Sequence, residues 1–291
     1  MTSSESDGGP LDVETRYPDV PEVLCQLDEY GVLLVTWNRP ERNNGWTYAL
    51  EDAYFGTLIA AADDPRVRAI VVTGAGKTFC PGRDMQVLEA AVTGDDPGSR
   101  TDRWPVTIAR QIPKPIIMAV NGACAGLGMV QIASADLVFA STAAKFTTAF
   151  ARRGLPAENA VSWLLPRLIG TANAMDLLLS ARVLDPSEAK AIGLINRVTE
   201  PDALLPAALA YARDLAINCS PSSMAQIKRQ VIADWEGSAE DARRHALDLV
   251  SVMSKQPDFI EGVASFKEKR RPTFPGLSAQ FQLSDERTSQ P

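Results

Sequence analysis

Pro115–Ala140, PIIMAVNGACAGLGMVQIASADLVFA, decides the fold. Ile116–Val120 is an apolar run of strand length, and Asn121-Gly122 closes it. Gly126 and Gly128 follow, and their missing Cβ atoms allow a sharp turn and the close approach of another molecule. Gly126–Ser134 then reads as a short uncharged helix, and Asp136–Ala140 as the next strand. A helix opening beside a glycine turn leaves its first N–H groups without internal partners, at the positive end of its dipole. Such an end can hold a negative oxygen.

A second junction repeats the pattern. Val67–Thr73, rich in β-branched residues, runs through Gly74-Ala75-Gly76 into Phe79–Met85, after which Gln86–Val92 has helical spacing. Around these two junctions the chain alternates strand and helix. Val23–Asp28 and Val32–Trp37 flank a turn at Glu29-Tyr30-Gly31 and predict a hairpin, and Thr47–Ala62 predicts a helix stopped by Asp63-Asp64-Pro65. Gly94–Arg103 reads as a charged loop and Val106–Gln111 as a further helix. Beyond Thr171 helices dominate: Ala172–Ser180, Pro186–Ile192, Pro201–Ile217, Pro221–Trp235, Ala239–Met253 and Asp258–Lys269, with a short strand-like piece in Gly193–Thr199. Several are apolar on more than one face, which predicts packing against another subunit.

Composition agrees with a large α/β domain. The chain has 291 residues, of which 45% are apolar, enough for one sizeable core. A net charge of -7 argues against non-specific nucleic-acid binding, which needs a broad basic surface. Cys25, Cys80, Cys124 and Cys219 lie in apolar settings without paired spacing and read as free thiols, with no metal site. No apolar run has membrane-spanning length, and the Ser/Asp/Glu-rich start lacks the regions of a signal peptide, so the expected location is cytoplasmic.

The strings VTWNRPERNNGWT (Val35–Thr47), GAGKTFCPGRDM (Gly74–Met85), VNGACAGLGM (Val120–Met129) and SWLLPRLIG (Ser162–Gly170) resemble, in order and spacing, the enoyl-CoA hydratase/isomerase (crotonase) superfamily. The resemblance spans about Val23–Phe274. It implies an α/β crotonase-like fold of repeated ββα turns with a C-terminal helical oligomerisation region. The implied division is a mobile segment over residues 1–21, the core over 22–200, the helical region over 201–271 and an extended or disordered tail over 272–291. The implied partner is an acyl-CoA thioester, with coenzyme A as part of the substrate and no separate cofactor. The implied assembly is a trimer or a dimer of trimers.

The site follows by matching motifs. The thioester oxygen falls to the backbone N–H groups of Arg83 and Leu127. Arg39 and Arg42, on the loop that the family sets beside the nucleotide, are candidates for CoA phosphates, although loop arginines are also commonly just solvated. Phe266 and Lys269 match residues that reach the adenine and 3′-phosphate of CoA held by a neighbouring subunit. The two glutamates that hold water in family hydratases are matched by Val130 and Phe150, so that mechanism cannot be carried over. Glu158 instead matches a third position, where isomerases and a dehalogenase branch place an acid. Glu158 is therefore the expected acid/base, in an acyl pocket of Val130, Phe150 and Trp163. Isomerisation through an enolate leads. Hydration or thioester hydrolysis through Glu158 and a water, and acyl-CoA binding without turnover, stay open.

Other polar residues carry less. His245 lies among Arg243, Arg244 and Asp248 and reads as solvated, which leaves Ser162 without a triad partner. Asp84 reads as a helix cap, Arg152 and Arg153 as a solvated pair, and the Arg83 side chain as reaching a CoA phosphate or a neighbouring acid. Neither glycine cluster has the GxGxxG spacing of a dinucleotide site.

Overall fold

The computed structural model describes residues 17–18, 20–95, 104–235, 237–277 and 281. The expectations for residues 1–16, for most of the Gly94–Arg103 loop and for the tail beyond Leu277, Phe281 apart, lie outside the described residues.

β1 (Val23–Leu27) and β2 (Val32–Trp37) form the expected hairpin. Its turn is set by Asp28, whose carboxylate accepts from Tyr30 N and Val32 N at 3.0 and 2.9 Å, and by Gly31 at φ 85°. α1 (Tyr48–Asp63) starts at Thr47, whose hydroxyl accepts from Leu50 N at 3.2 Å.

Three turns of a strand–strand–helix spiral follow. The first is β3 (Ala69–Gly74), β4 (Thr78–Cys80) and α2 (Met85–Thr93). The second is β5 (Ile116–Val120), β6 (Ala123–Ala125) and α3 (Leu127–Ser134). The third is β7 (Leu137–Ser141), β8 (Lys145–Thr147) and α4 (Val161–Ile169). In each turn the first strand joins a six-stranded sheet, ordered β1-β2-β3-β5-β7-β9, and the second joins a three-stranded sheet, ordered β4-β6-β8. All pairings except β1 with β2 are parallel.

The remaining elements are α5 (Thr171–Ser180), α6 (Pro186–Ala191), β9 (Arg197–Thr199), α7 (Pro201–Asn218), α8 (Pro221–Asp234), α9 (Ala239–Met253) and α10 (Pro257–Glu268). Four of these helices open with proline at the first position, where its missing N–H is no loss. One predicted helix is corrected. Val106–Gln111 forms only a 3-10 turn over Ile108–Arg110, because Pro113-Lys114-Pro115 leaves no room to extend it.

Alternation along the strands divides the interior. Leu33, Val35, Ile70, Val72, Met118 and Val120 face the larger core, with Leu50 and Tyr54 of α1 and with Phe79, Cys124 and Phe146 of the small sheet. Their neighbours Val32, Ala69, Val71, Ile117 and Ala119 face the opposite way and are covered by Leu204, Ala208, Ala212 and Ala216 of α7. Alanine every fourth residue brings that helix close to the sheet. Truncating Leu204 to alanine would cost about 2–5 kcal/mol.

The four cysteines are free. Cys80 and Cys124 pair in register between β4 and β6, and burial pushes the Cys80 thiol up to about 12, so they act as packing residues. Among the described residues no helix is long and apolar enough to cross a membrane, and no cluster of potential metal ligands forms.

Candidate active site

The first glycine junction lies between β4 and α2 and is held by Trp46. Trp46 N donates to Gly82 O at 2.9 Å, and Asp84 N donates to Trp46 O at 3.1 Å. Arg83 sits between these bonds, and its own N–H meets no acceptor among the described residues. Asp84 caps α2, accepting from Gln86 N at 3.0 Å, and also receives Arg39 at 2.9 Å and Arg42 at 3.0 Å. Burial alone would raise the Asp84 pKa, but the hydrogen bonds from Arg42, Gln86 N and Arg39 outweigh it and lower the carboxyl below its usual range. Asn44 fixes the loop: its amide donates to Ala75 O at 2.9 Å and Thr78 O at 2.6 Å, and it accepts from Arg39 N at 2.9 Å.

These contacts bear on two sequence expectations. Arg39 is only 15% exposed and also donates to Gly45 O, so its guanidinium is committed to the loop. Arg42 shares Asp84 yet stays 41% exposed on the cavity wall. The Arg83 side chain turns to a neighbouring acid, Glu51, at 2.7 Å and lies over the Tyr48 ring.

The second junction is Gly126, at φ 50°, whose N–H donates to Thr147 O at 3.3 Å. Leu127, the first residue of α3, follows with an N–H that has no acceptor among the described residues. The two junctions touch. A Cβ placed on Gly82 would lie 3.5 Å from Ala125 O and 3.7 Å from Leu127 N, and one on Gly126 would lie 3.5 Å from Gly82 Cα. A Cβ on Gly128 would meet Cys80 O at 2.5 Å, so only glycine lets α3 pack this near β4.

Both junctions open into a cavity of about 910 Å³. Its wall includes Tyr48, Met85, Leu88, Phe150, Leu155 and Glu158. Glu158 lies three residues ahead of α4, in a loop where Asn159 and Ala160 take φ 51° and 61° and Ala149 takes φ 63°. Left-handed non-glycine residues cost roughly 1 kcal/mol or more each and concentrate at functional sites. The half-buried Glu158 carboxylate makes no hydrogen bond or ion pair among the described residues.

The structure brings Arg42, Arg83, Leu127, Phe150 and Glu158 onto one cavity and leaves other candidates off it. Val130 is a correction: it is fully buried in the core and does not line the cavity. Trp163 is another: Arg167 lies 4.0 Å above its ring, Trp235 packs 5.1 Å away, and the ring does not line the cavity. Phe266, 86% exposed on α10, and Lys269, at the end of that helix, do not line the cavity of their own chain. His245 faces Asp234 at 3.5 Å, away from the site. Sequence reasoning passed over Tyr48, Met85 and Asn159. Of these, Asn159 carried a signal, since the Glu-Asn-Ala run after Pro156 suits a left-handed turn.

A spiral of strand–strand–helix turns feeding two parallel sheets defines a crotonase-like α/β protein. The chain belongs to the enoyl-CoA hydratase/isomerase family, which matches residues 28–277. It is 34% identical over 261 residues to the 1,2-epoxyphenylacetyl-CoA isomerase of Escherichia coli K12, spanning 88% of this chain and 99% of that protein. It is 29% identical over 266 residues to the trans-2-decenoyl-[acyl-carrier-protein] isomerase of Streptococcus mutans, spanning 89% and 99%. Among solved structures it is similar to an enoyl-CoA hydratase of Mycobacterium marinum, at 42% identity and TM-score 0.63 over 73% of this chain and 97% of that one. An enoyl-CoA hydratase of Mycobacterium smegmatis aligns at 28% identity and TM-score 0.75, over 88% and 99%.

Proposed function

We propose that the chain binds an acyl-CoA thioester and moves a double bond within its acyl group. The thioester oxygen accepts from the N–H groups of Arg83 and Leu127. Glu158 removes a proton from the carbon beside the carbonyl, the charge passes to the oxygen as an enolate, and Glu158 returns the proton further along the chain. One proton leaves and one returns, so the reaction balances without a redox partner. Removing one such donor in other enzymes costs roughly 10²–10³ in turnover, which sets the scale of the two N–H groups.

The observation that carries this reading is the pairing of two unengaged N–H groups, on touching turns, with the half-buried Glu158 carboxylate across one cavity, where Glu41 is exposed and Asp84 is held by Arg39 and Arg42. Phe150 on the wall and Val130 in the core stand where the family hydratases carry their two glutamates, so neither position supplies a carboxylate to hold water. Isomerases among the relatives point the same way, although other relatives are named hydratases.

Arg42 is the phosphate contact for CoA within the chain, and Phe266 and Lys269 reach CoA on a neighbouring subunit. This part of the proposal needs a homo-oligomer, as a trimer or a dimer of trimers. Support comes from the exposed Leu247 and Val250 of α9 and Ile260 of α10. Static light scattering tests it: a monomer at micromolar concentration sinks the shared site.

For the chemistry, 2-enoyl, 3-enoyl and saturated thioesters are incubated in heavy water and the products weighed by mass spectrometry. Deuterium gain with double-bond movement is expected. Added water assigns hydration, released CoA assigns hydrolysis, and unchanged but bound thioester assigns a binding role; each of the three overturns isomerisation.

A further inference from the structure

Arg152 and Arg153, read from sequence as a solvated pair, have separate surroundings. Arg152 Nε donates to Ser180 O at 3.0 Å, at the end of α5. Arg153 lines the cavity, with its guanidinium 4.0 Å from the sulfur of Met85. Three cationic side chains stand on the described cavity wall: Arg42, Arg83 and Arg153. Arg42 is paired with Asp84 and Arg83 with Glu51. Arg153 has no carboxylate partner among the described residues.

Arg153 is exposed, and its guanidinium borders an apolar stretch of the cavity wall. Met85, Val87, Leu88, Ala91 and Leu155 give the adjoining wall an apolar character suited to an alkyl chain. A guanidinium pressed against such a chain as water leaves loses hydration with no return. A carboxylate at the end of the chain removes the penalty, because the planar fork of arginine receives both its oxygens.

We propose that Arg153 is a specificity-determining residue that receives a carboxylate at the far end of the acyl group, so that the preferred substrates are CoA thioesters of dicarboxylic acids. This rests on the reading of the cavity as an acyl-thioester site. It does not depend on which bond Glu158 changes.

The test is calorimetric binding to the full-length protein, using saturated thioesters that double-bond movement leaves unchanged. Adipyl-CoA is compared with hexanoyl-CoA, and succinyl-CoA with butyryl-CoA, with CoA alone as a further probe. The wild type is expected to bind at least one carboxylated member roughly tenfold or more tightly than its methyl-ended partner, the scale of one charge-assisted bidentate contact. Arg153→Leu is expected to abolish that ratio while leaving the affinity for the methyl-ended thioesters within about twofold, and Arg153→Lys to keep part of it. Equal weakening of both members and of CoA in Arg153→Leu overturns the proposal, assigning the arginine to a CoA phosphate. Wild-type binding of the thioesters without preference at either length overturns it and leaves the acyl-thioester reading standing. Failure to bind any thioester or CoA removes both.

Discussion

The junctions at Gly82 and Gly126 lie in contact with each other and hold their glycines at φ 106° and 50°, whereas the loop from Ala149 to Ala160 is largely exposed and bends through three left-handed non-glycine residues. Both border the same cavity. The proposed donors for the oxygen come from two turns in mutual contact, and the proposed base comes from a loop held by short-range backbone hydrogen bonds of its own. On the proposed function, the contrast assigns oxygen binding to the spiral and the fate of the proton to a segment that can change without disturbing it.

The first way to break the comparison is Gly122→Ala. A Cβ there would sit 1.9 Å from Lys77 O, a backbone atom that cannot swing aside. The expected cost is more than about 3 kcal/mol, read as a collapse of the urea midpoint. A midpoint near wild type would show that the junction yields.

Glu158→Gln should act on the other side of the contrast. Turnover is expected to fall roughly 10²–10⁴-fold in the heavy-water assay. Stability should stay within about 0.5 kcal/mol, because the carboxylate has no hydrogen-bond or ion-pair partner among the described residues. Intact turnover removes Glu158 from the chemistry.

The frame beneath the junctions has its own handle in Asp64, at the end of α1. Burial would raise its pKa, but Arg66, bound through side chain and backbone, and Tyr17 together bring it to about 2. The folded value lies below the unfolded one, so the stabilisation is present above about pH 4 and is lost as pH falls through about 2. Roughly 2 kcal/mol of difference between wild type and Asp64→Asn at pH 5 should shrink toward zero near pH 2. Urea unfolding at both pH values checks this, and a gap that persists at low pH assigns the effect to packing.

The smallest effect sharpens the comparison. Ala160 caps α4 at φ 61°, so Ala160→Gly should relieve up to ~1 kcal/mol of left-handed strain and raise the melting temperature by about 2 °C. A fall of several degrees would mean that the loop is better held than its backbone angles imply.

Much of this was legible in the sequence because it depends on local chemistry. Proline starts, the Thr47 cap, the Glu29-Tyr30-Gly31 turn and the two glycine junctions each announce themselves within a few residues. The small sheet did not. Thr78–Cys80, Ala123–Ala125 and Lys145–Thr147 are too short to show a period, and they pair in parallel across intervals that the local pattern cannot see. The misplaced pocket residues share that cause. Trp163 is near Glu158 in sequence, but the Asn159-Ala160 bend comes between them, and Val130 turns inward because α3 is buried all round. Asp84 was legible as a cap, but its two arginines read from sequence as candidates for CoA phosphates or as solvated, and their pairing with Asp84 was not visible there.

The closure of the large sheet by α7 has a consequence for a chain made from its N-terminus onward. When residue 200 has emerged, all six strands exist, yet Val32, Val71, Ile117 and Phe139 still await the helix that begins at Pro201. Vectorial synthesis therefore passes through a stage with a broad bare apolar face, the kind of surface that nascent-chain chaperones shield. Release from that stage coincides with the arrival of a stripe of alanines.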